Sequence, residues 1–240
     1  MTDLSQINKI IFDFDNTLFD TEKKKSQFYQ LSKLHGYSHS KARDIYKRAR
    51  VENEKVVMSL SSYLKVLKEQ LKTDNIEFKS EAASDLITEM KQGKCLLPQA
   101  TDFLRYCIAN NLETFVLSLG QKDWQHQKVD QSGIKKYLIE ENIIFTADPE
   151  TGKQKIMKDL FGEDYKGEET LFINDKPDET ESIMKSFPIL KVMLRFEQRD
   201  ERYTEEDFKQ LKDKFSDQVV CYSTKLGQLL TNFKSNYESQ

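Results

Sequence analysis

Ile7-Asn8-Lys9-Ile10-Ile11-Phe12-Asp13-Phe14-Asp15-Asn16-Thr17-Leu18 is the stretch on which the reading of this chain turns. From Ile7 to Phe14 it alternates little and is rich in Ile and Phe, the pattern of a strand buried on both faces. Two carboxylates, Asp13 and Asp15, sit where that strand ends. Alternation can point both side chains into one crevice, and a turn can set them at different depths. Carboxylates this close repel each other unless a cation lies near them. Asp and Asn are also ordinary residues of a strand-end turn, but Phe12 and Phe14 interleave too tightly with the acids for that reading to suffice.

Beyond Leu18 the texture changes. From Thr21 to Gly93 no strand pattern is found, and helical spacings follow one another. Phe28, Leu31 and Leu34 recur, with Gly36 as a stop. Ser40 is placed to cap a helix carrying Ala42, Ile45, Tyr46 and Ala49. Leu60, Leu64, Leu67 and Leu71 form a third stripe, too short for a coiled coil and best read as core. Ser80 is placed to cap a fourth helix with Leu86, Ile87 and Met90. From Pro98 helix and strand alternate, with strands expected at 113–117, 142–145, 170–173, 190–196 and 218–222. This pattern predicts a parallel sheet with right-handed crossovers, whose active site lies beyond the carboxyl ends of the strands.

The residues after those strands are therefore the ones to inspect. Ser118 follows the second strand and can hold a phosphoryl oxygen or cap the next helix. Asp148-Pro149-Glu150-Thr151-Gly152-Lys153 leads into a helix, where a lysine is mildly disfavoured by the helix dipole. Lys153 there can neutralise an anionic nucleophile facing a phosphate dianion, with Lys155 as the alternative. After the fourth long strand, Asn174-Asp175-Lys176-Pro177-Asp178-Glu179 supplies acids that can reach a hard cation; magnesium takes only one or two carboxylates and keeps several waters. The helix dipole accounts for Asp178 and Glu179, and accounts less well for Asp175.

Taken together, these residues resemble the haloacid dehalogenase-like hydrolase superfamily. Asp13, Asp15 and Thr17 match its Asp-x-Asp-x-Thr motif, Ser118 its second-motif hydroxyl, Lys153 its third-motif lysine, and Asp175 its fourth-motif acid with Asp178 or Glu179. Asn174 replaces the usual Gly or Asp. The run Gly120 to Tyr137, with Gln127, Lys128 and Ser132-Gly133, resembles a helix-and-turn segment common in the family. The resemblance implies an α/β protein: a three-layer Rossmann-like core with a parallel sheet, formed by residues 1–18 and 94–240. Residues 19–93 would be an inserted α-helical cap domain. It implies magnesium held by the Asp13 side chain, the Asp15 backbone carbonyl and Asp175. Asp13 would be the nucleophile and Asp15 the acid/base, with Ser118 and Lys153 completing the catalytic set. Asn16, Thr17, Ser118 and Lys153 would bind phosphate. Members that cleave carbon–halogen bonds generally lack an acid at the position of Asp15, so its presence points to phosphate esters. In this scheme Asp13 is charged and Asp15 able to carry a proton. Alternatives are a phosphotransferase such as a sugar-phosphate mutase, or a non-catalytic binding protein that retains the fold.

The bulk properties fit this outline. The 240 residues are 38% hydrophobic and 32% charged with a net charge of −3, which suits a globular chain with charged helices and no concentrated basic face for nucleic acid. No run approaches the ~20 apolar residues of a membrane span, and the start Met1-Thr2-Asp3-Leu4 carries no basic or apolar leader pattern, so a cytoplasmic setting is expected. Cys95, Cys107 and Cys221 read as plain thiols. His35 and His39, separated by Gly36 and without an acid to complete a metal set, read as polar loop residues. His126 is expected to face water, Trp124 to pack at its helix start outside any substrate pocket, and Lys23-Lys24-Lys25 to form a solvated face near the site. Asp20 stands where it can serve as a hinge or touch substrate.

Overall fold

The computed structural model describes residues 3–52, 55–56, 58–146 and 152–238. Its strands are β1 (Lys9–Phe12), β2 (Val51–Glu52), β3 (Lys55–Val56), β4 (Glu113–Leu119), β5 (Ile143–Thr146), β6 (Thr170–Asn174), β7 (Lys191–Arg195) and β8 (Val219–Ser223). Its α-helices are α1 (Thr21–Leu34), α2 (His39–Arg50), α3 (Leu60–Thr73), α4 (Ser80–Gln92), α5 (Ala100–Ala109), α6 (Lys122–Ser132), α7 (Gly152–Phe161), α8 (Pro177–Ser186), α9 (Glu205–Lys214) and α10 (Leu226–Tyr237).

Six strands form one parallel sheet in the order β5-β4-β1-β6-β7-β8. Strand β1 lies between β4 and β6, with Phe12 opposite both Val116 and Ile173. The chain order reverses on either side of β1, which opens a crevice beyond its carboxyl end. Along β1 the side chains alternate between two cores, as strand geometry requires. Ile10 and Phe12 pack with Phe103 of α5, Val129 of α6 and Leu229 and Phe233 of α10. Ile11 packs on the other face with Met157 of α7, Ile183 of α8 and Phe208 of α9. Helix, sheet and helix make three layers: the parallel sheet expected from the alternation, in the α/β Rossmann-like arrangement that the resemblance implies.

Helices α1 to α4 pack around a third apolar cluster containing Phe28, Tyr63, Leu67 and Leu71. Buried Tyr63 donates its hydroxyl to the Phe28 carbonyl at 2.7 Å, so its polar end is satisfied inside the cluster. The chain leaves and returns to the sheet layer side by side: the Asp20 N–H donates to the Cys95 carbonyl at 2.6 Å, and the Leu97 N–H to the Leu18 carbonyl at 2.9 Å.

Several local expectations are corrected. Ser38, not Ser40, caps α2, because its extended backbone lets its side chain accept from Lys41 N–H. Ser80 begins α4 without capping it; the preceding Lys79 N–H instead donates to His35 Nε2 at 3.1 Å. A short antiparallel pairing, Val51–Glu52 with Lys55–Val56, stands where no strand pattern was read. Two-residue strands are too brief to leave one.

His35 lies in the turn after α1, as expected, but is buried there. Its Nδ1 meets the Leu31 carbonyl at 2.7 Å and its ring stacks on Phe78. No helix among the described residues is long and apolar enough to cross a membrane.

Candidate active site

The β1 ladder continues one residue past the strand, where the Asp13 N–H donates to the Ile173 carbonyl at 2.8 Å. This fixes Asp13, fully buried, at the mouth of the crevice. The chain then turns sharply. The N–H groups of Thr17, Leu18 and Phe19 all point to the Phe14 carbonyl, and Asn16 takes a left-handed φ of 59°, a conformation Asn tolerates better than most residues. Arg195, from the end of β7, donates to the Asn16 carbonyl at 2.7 Å and pairs with Glu197 at 2.8 Å. The turn is thereby tied to the far side of the sheet.

Lys153 lies at the start of α7. Its ammonium is 2.6 Å from Asp13 Oδ1 and 2.6 Å from Glu179 Oε2, with no solvent contact of its own. Lys155 is exposed. The stretch Asp148 to Thr151 lies outside the described residues. Of the two acids after Asp175, Glu179 enters this network and also accepts from Asn174 at 3.0 Å. Asp178 instead accepts from the Tyr203 hydroxyl at 2.7 Å on the outer side of α8. Asn174 thus joins β6 to the lysine network and donates to Thr180 Oγ1.

Ser118, 2% exposed, stands near the end of β4, with Gln125 Nε2 3.4 Å from its hydroxyl. Gly120 makes this possible, since a Cβ there would lie 2.5 Å from the Gln125 amide nitrogen. Gln125 also donates to Asp15 Oδ2 at 2.8 Å. Thr21 donates to Asp15 Oδ1 at 2.6 Å, and the Lys128 ammonium lies 2.5 Å from the same oxygen. Lys128 and Gln125 share one face of α6, three residues apart, as helical spacing dictates. No site role follows for either from spacing alone, because both read as part of a polar surface helix until the helix is docked on β1.

The charges follow from these contacts. Burial raises the Asp13 carboxyl against the pull of Lys153 and Lys176. Burial and then the like charge of Asp13 push Asp175 up to about 7. Burial alone would also raise Asp15, but Lys128 and the hydrogen bonds from Lys128, Thr21 and Gln125 overcome it and hold Asp15 well below the usual carboxylate range. Glu179, in spite of burial, is brought down to about 2 by Lys153 and Lys176. Without a cation the surroundings favour the carboxylate at Asp15, chiefly through Lys128, and burial disfavours it at Asp13, so both tendencies run against the expected assignment.

Asp13 Oδ2 and Asp175 Oδ1 are buried and accept no hydrogen bond. Two such oxygens on mutually repelling acids suit a hard cation, which would supply the missing partner and offset the repulsion. No group of three or more His, Cys, Asp or Glu side chains converges among the described residues. A magnesium site with one or two carboxylates does not require one.

A cavity of about 110 Å3 opens beside this cluster, walled by Asp15, Asp175 and Lys176 from the sheet side and by Lys24, Phe28 and Tyr46 from the helical side; Asp13, Ser118 and Lys153 are not among its lining residues. Trp124 lines it too, contrary to expectation, because α6 faces the helical cluster as well as Asp15. Lys24 is 3% exposed and bonded to the Met90 carbonyl, so the Lys23-Lys24-Lys25 run is not one solvated face. Asp20 caps α1, accepting from Lys23 N–H at 2.8 Å, and pairs with Arg199. His126 is exposed, with its ring edge-on to Phe145.

A parallel sheet with buried acids after its central strand, answered by a lysine from the first turn of the helix that follows the edge strand β5, is the arrangement a hydrolase family is recognised by. The family model of haloacid dehalogenase-like hydrolases matches residues 7–183, and the chain belongs to that family. No curated protein matches it. Among solved structures it is similar to a HAD family hydrolase of Deinococcus radiodurans with bound phosphate and sodium (13% identity, 97% of each chain, TM-score 0.58). A HAD-type protein, YfnB, of Bacillus subtilis bound to magnesium is also similar (13% identity, 95% of this chain and 98% of that one, TM-score 0.57). So is the L-2-haloacid dehalogenase of Xanthobacter autotrophicus (15% identity, 94% and 97%, TM-score 0.56). At these identities the likeness concerns the fold.

Proposed function

We propose that this protein is a magnesium-dependent phosphatase that hydrolyses a small phosphorylated metabolite in the cytoplasm through an aspartyl phosphate on Asp13. In this reading residues 1–18 and 94–240 form the catalytic core and residues 19–93 its cap. The observation that carries it is Asp15: a second acid, two residues past the buried Asp13, standing on the wall of a cavity that Asp175 also lines. Breaking a carbon–halogen bond asks for no proton donor there, whereas expelling an alkoxide does.

Asp13 attacks phosphorus in line, with Lys153 on its Oδ1 helping to keep it ionised, and Oδ2, free of hydrogen bonds, is the oxygen left for the cation. Magnesium, held by Asp13, the Asp15 carbonyl and Asp175, would neutralise charge on the phosphoryl oxygens. Phosphoryl transfer needs little else than positioning and charge neutralisation. Ser118, Lys153 and the turn at Asn16 and Thr17 hold the equatorial oxygens, and the orphaned Thr17 hydroxyl supports that placement. For the first half Asp15 must take up a proton as substrate binds and give it to the leaving oxygen; the carboxylate that remains then takes a proton from the water that attacks the aspartyl phosphate. The ionised Asp15 of this structure is the form that second half requires. Hydrolysis of an alkyl phosphate with release of inorganic phosphate, dependent on magnesium and lost in Asp13→Asn, is the test. A purified protein inert toward all phosphate esters with the metal present would end the proposal.

A further inference from the structure

Within the cavity, charges are answered unevenly. Lys128 is met by Asp15, Lys25 by Glu22 at 2.5 Å, and Arg202 by Asp200 at 2.5 Å. Two cations on the helical side have no carboxylate partner among the described residues. Lys24 on α1 is 3% exposed, is satisfied only by the Met90 carbonyl, and lies 5.8 Å from the Trp124 ring. Arg50, at the end of α2, makes no ion pair with the described residues and lines both this cavity and an outer one of about 390 Å3. A buried cation without a counter-ion is costly, and burial together with the nearby Lys128 charge lowers the Lys24 pKa. The acids of the site all lie on the sheet side, where a phosphoryl group would sit. Lys24 and Arg50 face it from the other wall.

Resting on the phosphatase reading, we infer that the substrate is a short phosphomonoester bearing a second anionic group, and that Lys24 and Arg50 hold that group. The size of the inner cavity limits the spacer. At about 110 Å3 it is smaller than the ~150 Å3 cavity that admits a benzene ring, so a phosphoryl group and a few carbons fill it. The second anion then reaches Arg50 at the opening to the outer cavity. A carboxylate and a second phosphate share this chemistry.

Three matched three-carbon esters separate the possibilities: propyl phosphate, 3-(phosphonooxy)propanoate and propane-1,3-diyl bisphosphate. The wild-type protein with magnesium is expected to favour at least one of the charged esters over propyl phosphate by about tenfold or more in kcat/KM, the worth of a charge-assisted hydrogen bond. Which charged ester wins identifies the anion. In Lys24→Met and Arg50→Met that ratio should fall toward one. Because the ratio is taken within one preparation, partial misfolding of the buried Lys24 variant does not alter it, and exposed Arg50 offers an independent variant. A wild-type ratio near one, or a ratio unchanged in both variants, overturns the inference while leaving the phosphatase reading standing. Failure to hydrolyse any of the three, or a generic aryl phosphate, overturns both.

Discussion

The Lys153 ammonium stands 2.6 Å from the Asp13 carboxylate, and neither side chain is touched by solvent. Removing one partner of a buried pair leaves an uncompensated charge, at a cost of ~3–5 kcal/mol. Lys153→Met should therefore lower the unfolding free energy in urea by about 3 kcal/mol. The double variant with Asp13→Asn should recover part of that loss without recovering turnover, since the two residues are coupled. Additive losses would show that the pair is not a unit.

Asp13→Asn, in which Lys153 keeps Glu179 as its counter-charge, should hydrolyse an aryl phosphate at least ~10³-fold more slowly, because an amide is no nucleophile. Brief acid quenching of the wild-type protein during turnover should leave a phosphoryl label on the peptide containing Asp13. A label elsewhere would move the nucleophile.

Asp15→Asn should slow alkyl phosphates by ~10²–10⁴-fold, the range for general acid catalysis. An aryl phosphate with a good leaving group needs less proton donation, so its first step should suffer far less. Equal losses on both substrates, measured as rates of phosphorylation, would remove Asp15 from the acid role.

Magnesium should raise the thermal midpoint, since a ligand of the native state stabilises by about 2.7 kcal/mol at 100 times its dissociation constant. Chelation should silence turnover. Asp175→Asn should abolish the magnesium-induced shift while relieving the repulsion between Asp175 and Asp13 in the metal-free protein. A shift of the same size in the variant would place the metal elsewhere.

Glu197 bridges Arg195 and Arg199, and those contacts bring its carboxyl down to about 2 against the raising effect of burial. An acid depressed in the folded state contributes stability above its unfolded pKa of about 4.5 and loses it as pH falls through the folded value. Glu197→Gln should thus be less stable than wild type at pH 7, and the gap should close between about pH 4.5 and 2. A gap that persists at pH 2 would mean that the ion pairs are not its source.

The alternation of strand and helix was readable because the central strands β1, β4, β6 and β7 carry buried runs and the crossovers helical stripes. The strand-end residues could be picked out for the same reason. What stayed hidden depends on docking. Trp124, Gln125 and Lys128 become a wall of the cavity only when α6 lies between β1 and the helical cluster. Lys24 reads like Lys23 and Lys25 until α4 closes over it. The choice of Glu179 over Asp178 likewise rests on which side of α8 meets Lys153, a matter of packing angle and not of residue type.

The segments Leu18–Asp20 and Cys95–Leu97 are bonded to each other, so the entry and the exit of the four helices are held as one pair. Thr21 follows directly on that pair and reaches Asp15 at 2.6 Å. The join that anchors the helices to the sheet layer is thus also what sets a hydrogen-bond donor against the second acid.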